Sequence, residues 1–481
     1  MLASHGSNNA FADFQGRTAE GLVCLDRRGM LKASFAGLAG LSVPELLRVR
    51  AEASRIGQET RGKKSVILLW MAGGPSHIDT WDPKPNRPYE NRGPFGVIQS
   101  KLPGVQICEH LPKQAAMLDK FTIIRSVDPR NSNHEPNKVF QTGNLEASPR
   151  TNPKGDLFPS IGSVVAKHHG ANLPGMPPYV AFQKSRSHVA WAGYLGKRYD
   201  PFLAQQAARL PVYDLVGNNT GKISGGNLFN MPLGLDQRRI YQRKSLLDEF
   251  DRMRSGLDLD GSMDALDTYS QQAVDMVLGQ SARDAFDISR EPEESRQRYG
   301  DHLWCQQVLL ARRLIEAGVS FVTIDLSYHT ASGTWDNHGI PGGVYGGISS
   351  GLRPLLPTFD HIITTLVSDL EERGRLDDVL IIAMGEFGRT PQIGTQESTD
   401  GRNHWTAVMS MCLAGGGYRH GQVIGASESD GGSIRERAVT PGDLAATIYR
   451  HMGVPLDTRY EDERQIPRPI VVNGRPLREL G

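Results

Sequence analysis

Cysteine is scarce in this chain: four in 481 residues, at Cys24, Cys108, Cys305 and Cys412, with no Cys-x-x-Cys spacing. Cys24 lies in a segment read below as a removable leader, which would leave an odd number. That argues against a disulfide framework and against a thiolate zinc site. Charge of one sign is also lacking. Formal net charge is +1, and no basic face or acidic tail stands out, which excludes nucleic acid as the main partner because phosphate binding needs clustered Lys and Arg. No run of about 18 apolar residues is present, so a permanent membrane span is not expected. Internal repeats and low-complexity segments are absent too. Glycine (53) and proline (29) are abundant and fall between the apolar runs, as in enzyme-like scaffolds with long connections.

What is present begins with Arg27-Arg28, set in Asp26-Arg27-Arg28-Gly29-Met30-Leu31-Lys32 ahead of a soft apolar stretch, Ala33 to Leu47. This reads as a twin-arginine export signal. Ala51-Glu52-Ala53 offers a small-x-small cleavage site, so residues 1–53 form the signal region and the mature chain starts near Ser54. The expected location is periplasmic or extracellular, reached through the twin-arginine export machinery. That route carries folded proteins, often with a cofactor already loaded.

Six apolar runs predict buried strands: Ser65 to Met71, Phe121 to Val127, Pro178 to Phe182, Val319 to Leu326, Asp378 to Met384 and Val408 to Leu413. Amphipathic stretches around His302 to Ala317, Leu352 to Arg373 and Pro441 to Met452 predict helices between them. Strands alternating with helices imply an α/β fold, a mostly parallel central sheet with helices on both faces. From about Gln237 to Arg298 the pattern is polar and helical without a strand signal, which predicts a helical insertion within the 54–481 domain.

Open parallel sheets gather ligands outside the carboxyl ends of their strands. The histidines and carboxylates follow that rule. Gly73 to Pro85, with His77 and Asp79, follows the first strand, and Ser132-Asn133-His134-Glu135 follows the second. Thr334 to Gly339, with Asp336 and His338, follows the fourth. Gly385 to Pro391, with Glu386 and Arg389, follows the fifth, and Gly401 to Trp405 brings His404. A single histidine or aspartate here is readily a turn or capping residue. Four segments on one edge point instead to a divalent metal such as zinc, manganese or calcium, with Asp336, His338, Glu386 and His404 as ligands and Asp79, His77 and His134 as further candidates. Arg389, Arg125 and Lys138 are candidates to hold an anionic substrate oxygen.

On Gly73 to Pro85, Thr334 to Gly339, Gly385 to Pro391 and Gly401 to Trp405, the chain resembles the alkaline phosphatase and sulfatase-like superfamily. More closely, it resembles an uncharacterised family of exported bacterial proteins within it. The resemblance implies an alkaline phosphatase-like arrangement of the sheet and a metal-dependent hydrolase of phosphate or sulfate esters. Ser132 is then the nearest hydroxyl to the nucleophile position, and a small-molecule or polysaccharide ester is the substrate. Departures accompany it. Met71-Ala72-Gly73 stands where the superfamily ends its first strand in an Asp, Phe387 stands in a histidine position, and no Cys-x-Pro-x-Arg occurs. These departures support an alternative, a non-catalytic glycan- or envelope-binding protein on the same fold. Two motifs are set aside. Gly347-Ile348-Ser349-Ser350-Gly351 lacks the preceding strand that a nucleophile elbow requires, and Gly415-Gly416-Gly417 lacks the Gly-Lys-Ser/Thr of a phosphate loop.

Overall fold

The computed structural model describes residues 62–132, 138–148, 152–228, 280–330, 332–340, 344–394 and 398–481. The leader and most of the expected insertion lie outside the described residues, as does His134. A central sheet has eight strands: β1 (Ser65–Trp70), β2 (Phe121–Val127), β3 (Tyr179–Phe182), β4 (Phe202–Leu203), β5 (Phe321–Asp325), β6 (Val379–Met384), β7 (Met409–Gly415) and β8 (Gln422–Ile424). Their order is β8-β2-β7-β6-β1-β5-β3-β4. Every pairing is parallel except those of β7, which runs antiparallel to both β6 and β2. The mostly parallel sheet is therefore as expected. The two edge strands, β4 and β8, were not foreseen, being only two and three residues long.

Alternation along the strands divides the core between two faces. Val66, Leu68 and Trp70 of β1 join one apolar cluster, while Ile67 and Leu69 join the other. Because both faces are covered, the strand reads as an unbroken apolar run. Helices α1 (Ile161–His169) and α4 (Pro441–Met452) cover the first face, and α2 (Leu303–Glu316) and α3 (Arg353–Glu372) the second. Local chemistry sets their ends. Thr440 and Asp443 form a capping box at the start of α4, Pro441 takes its first position, and Gly453 closes it in the left-handed conformation. At the start of α2, the His302 ring accepts the Trp304 amide.

The Gly-x-Ser-x-Gly segment opens α3 through a π turn at Ile348–Leu352. Gly415, Gly416 and Gly417 all take positive φ at the exit of β7. Within the expected insertion, the described part contains two short helices, Gln280–Phe286 and Glu293–Tyr299. Glu291, between them, pairs with Arg312 and Arg313 of α2. No helix among the described residues is long and apolar enough to cross a membrane.

Candidate metal centre

The carboxyl ends of β5, β1 and β6 lie side by side, with Trp70 in register with both Asp325 and Met384. Their exit loops therefore leave from one rim. Since β7 is antiparallel, its beginning meets that rim, with Met409 opposite Val127 of β2. This is how His404, which precedes a strand, reaches the place that Asp336 and His338 reach by following one. A small hairpin completes the approach, pairing Arg389 with His404.

Asp336 Oδ1 lies 2.8 Å from His338 Nε2 and 3.1 Å from His404 Nε2. The two Nε2 atoms are 2.8 Å apart. Three potential ligand atoms thus converge, and these residues form the one such group among those described. Two neutral imidazoles cannot face each other through two lone pairs at this distance. A proton or a cation must sit between them. Two imidazoles with one carboxylate make a donor set suited to zinc or iron(II), so the residues fit a metal. Asp336 is buried, whereas the His404 side chain is 37% exposed, so the group opens toward solvent on that side.

The surrounding loops are tightly tied. Gly73 has φ +113°, and a Cβ there would collide with the Asp336 amide, so only glycine lets the turn after β1 pass against that loop. Its own amide donates to Glu386 Oε1 at 2.8 Å. Glu386 therefore binds the turn after β1 and is not part of the three-residue group. His77 and Asp79 also lie outside it. Burial lowers the His77 pKa, and its Nε2–H donates to Gly431 O at 2.8 Å. Asp79 accepts from Arg402 Nε at 2.7 Å and from Ser76 Oγ. Arg125 donates to the Trp81 and Gln106 carbonyls, and Lys138 is buried in a short helix. Arg389 is fully buried, its guanidinium engaged by backbone carbonyls and Asp336. Ser132 is buried just after β2, and its Oγ has no hydrogen-bond partner among the described residues.

Sequence reasoning missed a second polar group on the same rim. Asp325, the last residue of β5, has a fully buried side chain that accepts from His188 Nδ1 at 2.9 Å and the Lys184 amide at 2.8 Å. Asp325 Oδ1 and His329 Nδ1 are buried without partners among the described residues. Burial, then His188, lowers the His329 pKa, while Asp336 and Asp325 oppose that shift. Tyr345 presents its ring to both histidine groups, 5.4 Å from His329 and 6.1 Å from His338 between centroids. The signal available in sequence was the Asp325-x-x-x-His329 spacing at a strand end.

A family model described as "Protein of unknown function (DUF1501)" matches residues 63–480. The chain belongs to that family. No curated protein matches it. Among solved structures, this DUF1501 member is similar to the PsFucS1 sulfatase from Pseudoalteromonas sp., with 13% identity, 86% of this chain and 72% of that one covered, and a TM-score of 0.37. It is also similar to the phosphonate monoester hydrolase SpPMH from Silicibacter pomeroyi, with 13% identity, coverage of 86% and 76%, and a TM-score of 0.34. At such TM-scores these likenesses bear on no residue role in the DUF1501 site.

Proposed function

We propose that this protein is a metal-dependent hydrolase of phosphate or sulfate esters, acting outside the cytoplasm after twin-arginine export. The observation that carries the reading is the convergence of Asp336 Oδ1, His338 Nε2 and His404 Nε2 within 2.8–3.1 Å on a partly open rim. Asp336, His338 and His404 would hold one divalent ion, and the two imidazoles favour zinc or iron(II) over manganese and calcium, which prefer oxygen ligands. Such an ion supplies Lewis-acid polarisation of an ester oxygen and neutralises developing charge. The ester class rests on the resemblance of the strand-end segments to the sulfatase-like superfamily. Ser132 Oγ, buried at the carboxyl end of β2 and without a partner among the described residues, is the side-chain candidate for attack. In that step its oxygen bonds to phosphorus or sulfur as the bond to the ester's alcohol breaks. The serine proton is lost to a base and the alcohol leaves with a proton, and water then cleaves the serine ester to release phosphate or sulfate. The buried group of Asp325 and His188, with His329 beyond it in the loop after β5, is a further polar resource of the rim.

One observation favours the alternative of a binding protein without turnover. The Phe387 ring packs 4.6 Å from the His404 ring between centroids, so an apolar side chain lines the group.

Elemental analysis of protein purified without chelator tests the reading, beside an Asp336→Ala/His404→Ala variant. About one equivalent of metal, lost in the variant, followed by turnover of aryl phosphate or sulfate esters, is the expected result. Metal without turnover would favour the binding protein. A folded wild type that takes up no metal would overturn both the ion and the hydrolase.

A further inference from the structure

Arg389 is the residue whose chemistry the metal group alone does not explain. It is fully buried. Its Nε–H donates to Gly74 O at 2.8 Å and its Nη1 to Arg402 O at 3.2 Å. Its Nη2 meets the carbonyls of Gly73 and Trp335, and Asp336 Oδ1 at 2.5 Å. One guanidinium thus gathers the turn after β1, the loop after β5 and the hairpin that carries His404.

The carboxylate oxygen it touches is the one shared by both imidazoles. Arginine suits this task because its fork of five N–H groups is planar and always charged, whereas a lysine ammonium cannot reach the same spread of acceptors. With those acceptors in place and no exposure to solvent, the group has no face left for a substrate anion. We propose that Arg389 is a positioning residue that fixes Asp336 Oδ1 toward His338 and His404 and holds the three loops in place before any ion binds. This rests on the reading of Asp336, His338 and His404 as metal ligands. Partners of a ligand's own carboxylate commonly set metal affinity in this way.

The test compares wild type with Arg389→Lys, using Zn²⁺ as probe in competition with a chromophoric chelator. The expected result is a Zn²⁺ affinity weakened about 10- to 100-fold, with KM for an aryl ester unchanged at saturating Zn²⁺. An unchanged Zn²⁺ affinity with a raised KM, or with weaker inhibition by inorganic phosphate, would return Arg389 to substrate binding and overturn the proposal. If wild type binds no Zn²⁺, the metal reading itself fails; if wild type and variant bind it equally, only the role of Arg389 fails. Hydrogen exchange on the wild type needs no variant. A pre-clamped loop should protect the amides of Trp335 and Asp336 equally with and without Zn²⁺, and strong protection appearing only with Zn²⁺ would overturn the proposal.

Discussion

Two buried charged networks in this protein are built on different terms. Between the helices, Arg312 meets Glu291, Glu316 and Asp369, and Arg313 and Arg373 add further pairs to Glu291 and Asp369. Burial opposes ionisation of Asp369, but Arg312 and Arg373 hold its carboxyl below the usual range. Each acid there faces a guanidinium, and the network ties the helices to one another. At the strand-end rim Asp336 also meets a guanidinium, that of Arg389, but the same carboxylate oxygen faces two imidazoles. Among the described residues, Ser132 Oγ, Asp325 Oδ1 and His329 Nδ1 at strand ends lack hydrogen-bond partners. A buried polar atom without a partner costs stability. The helix network lies between the elements it ties together, whereas the rim group keeps one imidazole, His404, 37% exposed and reachable from solvent.

The sharpest way to break this contrast is to exchange the readouts. Asp336→Ala/His404→Ala should abolish metal content, while Asp369→Ala should leave it intact. Loss of metal in both, by elemental analysis, would mean the two networks are not independent. Asp369→Ala should then cost about 1–3 kcal/mol in denaturant unfolding, because the buried Tyr299 hydroxyl and Arg312 each lose a partner. The same cost is expected with and without chelator.

A third comparison uses the pH response of two histidines outside the metal group. Burial lowers the pKa of His302, and separately of His451, to about 4. The folded state therefore binds fewer protons than the unfolded state between the ordinary value of 6.5 and about 4. Stability is fully present above that window and is lost as pH falls through it, by roughly 3 kcal/mol for each histidine. The metal-group variant should show the same loss; a flat profile for wild type from pH 7 to 4 would refute the assignment. Smallest in stability is Ser132→Ala, expected to shift unfolding by no more than about 0.5 kcal/mol because no hydrogen bond is removed. Its effect should fall on turnover, and unchanged turnover would leave attack to water.

Legibility varied with how local the signal was. The strands β1, β2, β5 and β6 were readable because burial on both faces makes them continuous apolar runs. Edge strands β4 and β8 were not, since two or three residues carry no periodicity. Asp336, His338 and His404 were visible as residue types at strand ends. His188 was not, because its link to Asp325 spans 137 residues of chain. Glu386 and Arg389 were visible as functional types, but the turn after β1 that both of them bind lies more than 300 residues earlier in the chain.

The sequence by itself determined the class of fold, the rim on which polar residues gather and the chemical types offered there. Those follow from hydrophobic period, from turn residues and from the rule that parallel strands end at a common edge. Only the tertiary structure decided which of those residues meet. The antiparallel course of β7 delivers His404 to Asp336, and Gly73 lets two loops touch. Arg389 converges on carbonyls from three segments. Contacts of that kind depend on distances between parts of the chain that no local pattern encodes.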